Sequence, residues 1–140
     1  MTTHLDASFA AKIERLSAPQ AKIRLHAVVH LSSLGRAALP ALAALMTTLG
    51  DECDNVRQAA ASVLGDIGPP AAIAIPALIK ALGDPSHAVR RNAAIALGKM
   101  RAAVAIPRLE RAVKDPSDHV RRAAQTALRQ ISTQAASRAA

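Results

Sequence analysis

The sequence predicts an all-α protein made of stacked helical hairpins, and three observations carry that prediction. Of the 140 residues, 34 are Ala and 51% are hydrophobic, whereas Trp and Tyr are absent and Phe9 is the single Phe. Ala is the best helix former and a poor strand former, so this composition excludes a sandwich of β-branched and aromatic strands. Apolar residues fall at Val56, Ala60, Val63, Leu64 and Ile67, and again at Val89, Ala93, Ala96, Leu97 and Met100. Both sets follow the i, i+4, i+7, i+8, i+11 spacing of one helical face. Finally, the chain repeats itself, with β-branched–Arg pairs at Ile23-Arg24, Val56-Arg57, Val89-Arg90 and Val120-Arg121, spaced 33, 33 and 31 residues apart.

The first copy, LSAPQAKIRLHAVVHLSSLG from Leu16, is the faintest: Ala18 stands where the later copies carry Asp, and no Pro opens its first helix. A terminal capping repeat has this character. The second copy opens on Pro40-Ala41-Leu42. Nine residues separate Pro40 from Leu49, against six from Pro76 to Leu82, which predicts a bulge or an extra turn in that first helix. In the third copy Ile75, Leu78, Ile79 and Leu82 form the first helix, with Pro76 early, where its missing N–H is harmless. Gly83-Asp84-Pro85-Ser86 is the turn into the second helix. The fourth copy repeats this plan with Pro107-Arg108-Leu109, a first-helix face of Ile106, Leu109 and Val113, and the turn Lys114-Asp115-Pro116-Ser117. Gly35 and Gly68 follow second helices and suit left-handed C-terminal caps. One hairpin cannot bury its own apolar face, so the copies must stack into one core, with Ala permitting close approach. The expectation is one domain over 1–140, with repeats at about 5–35, 36–68, 69–100 and 101–134 and a short tail at 135–140.

This pattern resembles the HEAT repeats, in particular the short bacterial variety of the phycobilin lyases. The resemblance rests on Pro40, Pro76 and Pro107 in the first helices, Asp51, Asp84 and Asp115 between helices, and the four β-branched–Arg pairs. It implies a right-handed α-α superhelix, an α-solenoid of four HEAT-like hairpins. It also implies a ladder in which Arg side chains bond turn carboxylates within and between repeats. The pairs Asp51/Arg57, Asp84/Arg90 and Asp115/Arg121 are each six apart. Three copies of one pair argue for structure over catalysis, and a guanidinium fork matches a carboxylate.

Other features bound the function. A high apolar fraction excludes disorder, and Cys53 has no partner in the chain for a disulfide scaffold. Asp51, Glu52 and Asp54 around Cys53 disfavour its thiolate, so a structural cysteine is expected there. Met1–Leu16 is too charged for a signal peptide, and with one thiol the expected location is cytoplasmic. The uncharged stretches Ala37–Gly50 and Ile67–Ile79 are too short to span a bilayer, so no membrane partner is expected. His26 and His30 are four apart, which is metal-ligand spacing, but no third ligand is evident and a surface pair is expected. No glycine-rich phosphate loop or nucleophile elbow is present, so neither catalysis nor a cofactor is expected.

The net charge of +8 is unevenly placed. Residues 1–70 hold six Lys/Arg and six Asp/Glu; residues 71–140 hold twelve and four. Solenoids of the resembled type bind partners on the concave face of the second helices. Counting from each β-branched anchor, that face is expected to take positions +2 (Leu25, Gln58, Arg91, Arg122), +5 (Val28, Ala61, Ala94, Gln125) and +6 (Val29, Ser62, Ile95, Thr126), continuing at +9 and +10 through Lys99, Arg129 and Gln130. It runs from apolar to basic, with Gln58, Arg91, Asn92, Lys99, Arg122, Gln125 and Arg129 as candidate partner-binding residues. The expected function is a non-catalytic adaptor or scaffold that binds a protein, with an acidic segment the natural complement. A nucleic-acid backbone binder is the alternative, weakened by the lack of aromatics for base stacking. A phycobilin-lyase-like accessory protein is a further alternative, which rests on fold alone.

Overall fold

The computed structural model describes residues 7–139, and among them it contains helices and no strand. Four antiparallel hairpins follow one another: α1 (Ala7–Arg15) with α2 (Ala21–Ser32), α3 (Leu42–Thr48) with α4 (Asp54–Ile67), α5 (Ile75–Ala81) with α6 (His87–Lys99), and α7 (Ile106–Ala112) with α8 (Asp118–Ala139). Short 3-10 helices at Gly35–Ala41, Pro69–Ala74 and Ala103–Ala105 join one hairpin to the next. The second helices pack in series, α2 on α4, α4 on α6 and α6 on α8, while α3, α5 and α7 cover the second helix of their own repeat. The result is an all-α solenoid whose core is a continuous seam and not a single central cluster.

The apolar faces expected of α4 and α6 are the buried faces, from Val56 to Ile67 and from Val89 to Met100. The largest side chains sealed inside are Leu and Ile, among them Leu31, Leu45, Leu64, Ile67, Leu78, Leu97 and Leu109. Between the second helices, small residues set the spacing. Gly65 lies against Ala96, and Gly98 lies against Ala127 and Gln130. A seam filled this way needs no aromatic, which accounts physically for the composition.

Three local details differ from expectation. The three additional residues of repeat 2 do not lengthen its first helix. Helices α3, α5 and α7 are all seven residues long, and Pro40 lies inside the preceding 3-10 helix. In register, Ala43 occupies the place of Pro76 and Pro107, so a Pro outside the helix was matched to one inside it. Residues 135–139, expected as a tail, continue α8 as helix. Gly35 and Gly68 do adopt positive φ, +53° and +77°. The third member of that series is Arg101 at φ 56°, a non-glycine at the same turn, whose guanidinium bonds the Gln130 carbonyl.

Repeat 1 departs most from the rest. Anchors Val56, Val89 and Val120 are fully buried, whereas Ile23 is 41% exposed. The anchor, +3 and +7 positions face the preceding second helix, as the Gly65–Ala96 and Gly98–Ala127 contacts show for +7. No second helix precedes α2 among the described residues, so Ile23, His26 and His30 meet solvent. No described helix is long and apolar enough to cross a membrane.

Candidate interaction face and the Asp–Arg ladder

In repeats 2 to 4 the turn inside the hairpin places an Asp three residues before the second helix, and the first turn of all four second helices carries the Arg. In Arg24, Arg57 and Arg90 the guanidinium uses all three of its nitrogens. Arg57 donates from Nε to Asp84 Oδ2 at 2.8 Å and from Nη2 to Asp84 Oδ1 at 3.0 Å, while Nη1 donates to the carbonyls of Asp51 and Glu52. Arg90 repeats this with Asp115 at 2.9 and 3.1 Å and with the carbonyls of Asp84 and Pro85. Arg24 does the same with Asp51 at 2.7 and 3.0 Å and with the carbonyls of Ala18 and Pro19. The carboxylates also accept the N–H of Cys53, Ser86 and Ser117, two residues on.

The sequence-based pairing therefore needs correcting. Asp51 and Arg57, six apart, do meet, but through the Asp main-chain carbonyl, and the same holds for Asp84/Arg90 and Asp115/Arg121. The carboxylate each Arg grips belongs to the next repeat, which makes Arg24 the first rung. At the far end Arg121 has no following Asp and instead pairs at 3.3 Å with Asp118 on its own helix. The rung side chains are 9–17% exposed, so solvent screens them little.

Burial alone would oppose ionisation of Asp51, Asp84 and Asp115, but the Arg hydrogen bonds and the turn N–H groups outweigh it and hold all three below their ordinary 3.8. The carboxylates thus release protons more readily folded than unfolded. Their stabilisation is complete above the unfolded carboxylate range and is lost as pH falls through 3.8 toward the lower folded values. Urea titrations at about pH 6 and pH 3 should show a clear drop in midpoint, and an Asp51/Asp84/Asp115→Asn chain a much shallower one. Equal pH dependence of the two chains would remove the ladder from the account.

The second-helix face carries two adjoining hollows. One, of about 330 Å3, spans α2, α4 and α6 and is lined by Leu25, Val29, Ser32, Asn55, Gln58, Ala59, Ser62 and Asn92. The other, of about 370 Å3, lies between α6 and α8 and is lined by Arg91, Ile95, His119, Arg122, Ala123 and Thr126. Gln58, Arg91, Asn92 and Arg122 are thereby brought together on one face. Asn92 is partly committed, since its amide donates to the Gln58 carbonyl at 3.1 Å. Lys99 is paired with Asp66 at 2.8 Å, and Arg122 with Asp118 at 3.0 Å. Arg91 is exposed and has no bonded partner among the described residues.

Gln125 and Arg129 do not belong to this face. At their register positions the inner repeats carry Ala61 and Ala94, and Gly65 and Gly98, all buried against the following second helix. No described helix follows α8, so these side chains are exposed at the end of the stack. The whole +5 set was misassigned for the same reason, since it faces the next repeat. Asn55 and His119, one residue before their anchors, were missed; the −1, +2, +6 stripe on each second helix is the pattern that contains them. His26 and His30 are exposed, and no cluster of three or more His, Cys, Asp or Glu that could hold a metal occurs among the described residues.

Stacked two-helix repeats with a ladder between turns and a groove along the second helices define a helical-repeat solenoid. The profile of the HEAT repeats matches residues 10–75 and 49–129, and the chain belongs to that family. No curated protein matches the sequence. Among solved structures, a designed armadillo repeat protein in complex with the peptide (KR)4 is similar at a TM-score of 0.73 and 21% identity, covering 86% of this chain and 62% of its own. Human deoxyhypusine hydroxylase in complex with glycerol is similar at 0.70 and 26%, with 89% of this chain and 43% of that one covered. The complex of CpcE and CpcF of phycocyanin lyase from Nostoc sp. PCC7120 is similar at 0.63 and 23%, with 87% and 64% covered. The chain spans less than two thirds of the length of each of these structures.

Proposed function

We propose that this protein is a non-catalytic interaction module that holds an acidic segment of a partner protein along its second-helix face. One observation carries the reading: unpaired Arg91 stands beside Arg122 over one hollow, directly next to a hollow lined by Asn55, Gln58 and Asn92. The amides supply donors and acceptors to a main chain, and the guanidiniums supply bidentate grips on carboxylates. A helical-repeat solenoid is a scaffold of the protein-binding kind, and a related designed armadillo protein holds a peptide. That peptide is basic, whereas Arg91 and Arg122 favour the opposite charge. The unpaired thiol of Cys53 suits a reducing compartment, and we place the protein in the cytoplasm.

The test is binding of fluorescein-labelled acidic peptides to the wild-type chain and to Arg91→Glu/Arg122→Glu. Each lost grip should weaken binding about tenfold, with melting temperature unchanged because both side chains are exposed. Equal affinity for both chains would overturn the reading.

A phosphate-backbone reading draws on a different surface, the exposed Arg108, Arg111 and Lys114 in and after α7. It requires retention on DNA or RNA that collapses between low and moderate salt and survives the Arg91/Arg122 reversal.

A further inference from the structure

The basic hollow has an apolar counterpart at the α2 end of the stack, where Leu25 and Val29 of the second-helix face adjoin Ile23 and His26 of the open end. A hollow of about 600 Å3 is lined by Ile23, Leu25 and Val29, with Arg15, Lys22 and His26 at its rim. It shares Leu25 and Val29 with the amide-lined hollow, so the apolar, amide and basic regions form one track from α2 to α8. Val29 is 52% exposed and Ile23 is 41% exposed, an arrangement that water disfavours and a bound apolar side chain would relieve.

We infer that the partner segment is bipartite, with a large aliphatic or aromatic anchor for the Ile23–Val29 hollow and carboxylates for Arg91 and Arg122, joined by an extended stretch over the amides. This deepens the proposed function and rests on it. The spacing follows from packing geometry. Successive helices lie about 10 Å apart, which puts α6 about 20 Å and α8 about 30 Å from α2. At about 3.3 Å per extended residue, the anchor and the carboxylates are about six to nine residues apart. The charges on the track support this occupant. Lys22 and Arg15 at the apolar end tolerate acidic residues beside the anchor, and Arg91 over the basic hollow has no bonded partner among the described residues.

The experiment is selection of displayed random 14-residue peptides on the immobilised full chain, followed by affinities of the enriched peptides for Val29→Asp and for Arg91→Glu/Arg122→Glu. The expected result is enrichment of sequences with one large apolar residue six to nine positions from an acidic pair. Each variant should then weaken those peptides at least tenfold. Acidic peptides without an anchor, indifferent to Val29→Asp, would overturn the bipartite segment and leave the acidic-partner reading standing. Peptides indifferent to both variants, or no enrichment, would overturn both. Light scattering that shows a dimer dissociated by Val29→Asp would assign the hollow to a second copy of the chain and overturn the inference.

Discussion

Asp84→Ala should lower stability by about 2–3 kcal/mol and melting temperature by roughly 10 °C, because it removes the rung that ties repeat 2 to repeat 3. Asp84 takes two hydrogen bonds from Arg57 and one from the Ser86 N–H, and Ala supplies none of them. The Arg57 side chain, 15% exposed, would keep its carbonyl contacts but lose its counter-charge. Arg57→Lys should fall nearly as far, since an ammonium cannot fork across a carboxylate and still reach two carbonyls. Asp118→Ala is the matched control. Asp118 pairs with Arg121 and Arg122 at 52% side-chain exposure, so its loss should stay within about 0.5 kcal/mol. Urea denaturation of the three variants checks the set, and an Asp84→Ala chain as stable as Asp118→Ala would contradict the ladder. Because the Asp84 rung is central, its removal should also broaden the transition as the two halves of the stack uncouple.

Gly98→Ala tests the seam. In a helix the change would ordinarily stabilise by about 1 kcal/mol. Here the added Cβ would lie 2.8 Å from Ala127 Cα and 2.9 Å from Ala127 Cβ, and against the Gln130 amide oxygen. The glutamine can swing away, but the α8 backbone cannot yield without shifting the last repeat. A net loss of about 1–3 kcal/mol is expected, the opposite sign to propensity. Gly65→Ala should follow with a smaller loss, its Cβ 2.9 Å from Ala96 Cα. Gly83→Ala, where the nearest atom is the Lys80 carbonyl at 3.5 Å, should change stability by less than about 0.5 kcal/mol. A Gly98→Ala chain that melts higher than wild type would show that α6 and α8 have room to spare.

Much of the fold was legible in the sequence. The second-helix faces of repeats 2 and 3 match the buried residues, because a helical period and a repeat period are both local patterns that a chain must satisfy to stack. Positive φ at Gly35 and Gly68 was legible for the same local reason, and Arg101 was missed because its residue type conceals the conformation. Pro40 misled because the same Pro-Ala-Leu triplet can lie on either side of a helix start, before α3 at Pro40 and inside α5 at Pro76. The candidate site was legible only in part. Gln58, Arg91, Asn92 and Arg122 do line the second-helix face. Gln125 and Arg129 do not, because a position that faces the next repeat looks identical in sequence to one that faces solvent until the neighbour's presence is known.

The sequence by itself determined that this chain is helical, that it is built from repeated hairpins closely packed through Ala, and that its excess charge sits in the second half. Those properties follow from composition and period, which need no knowledge of neighbours. The tertiary structure alone decided which Asp each Arg holds, since the partner lies 25 or 27 residues away and the six-residue spacing points to the wrong atom. It also decided that Ile23 stays open to solvent while its counterpart anchors Val56, Val89 and Val120 vanish into the seam. Burial in a stack depends on what lies on either side, and only the assembled repeats contain that information.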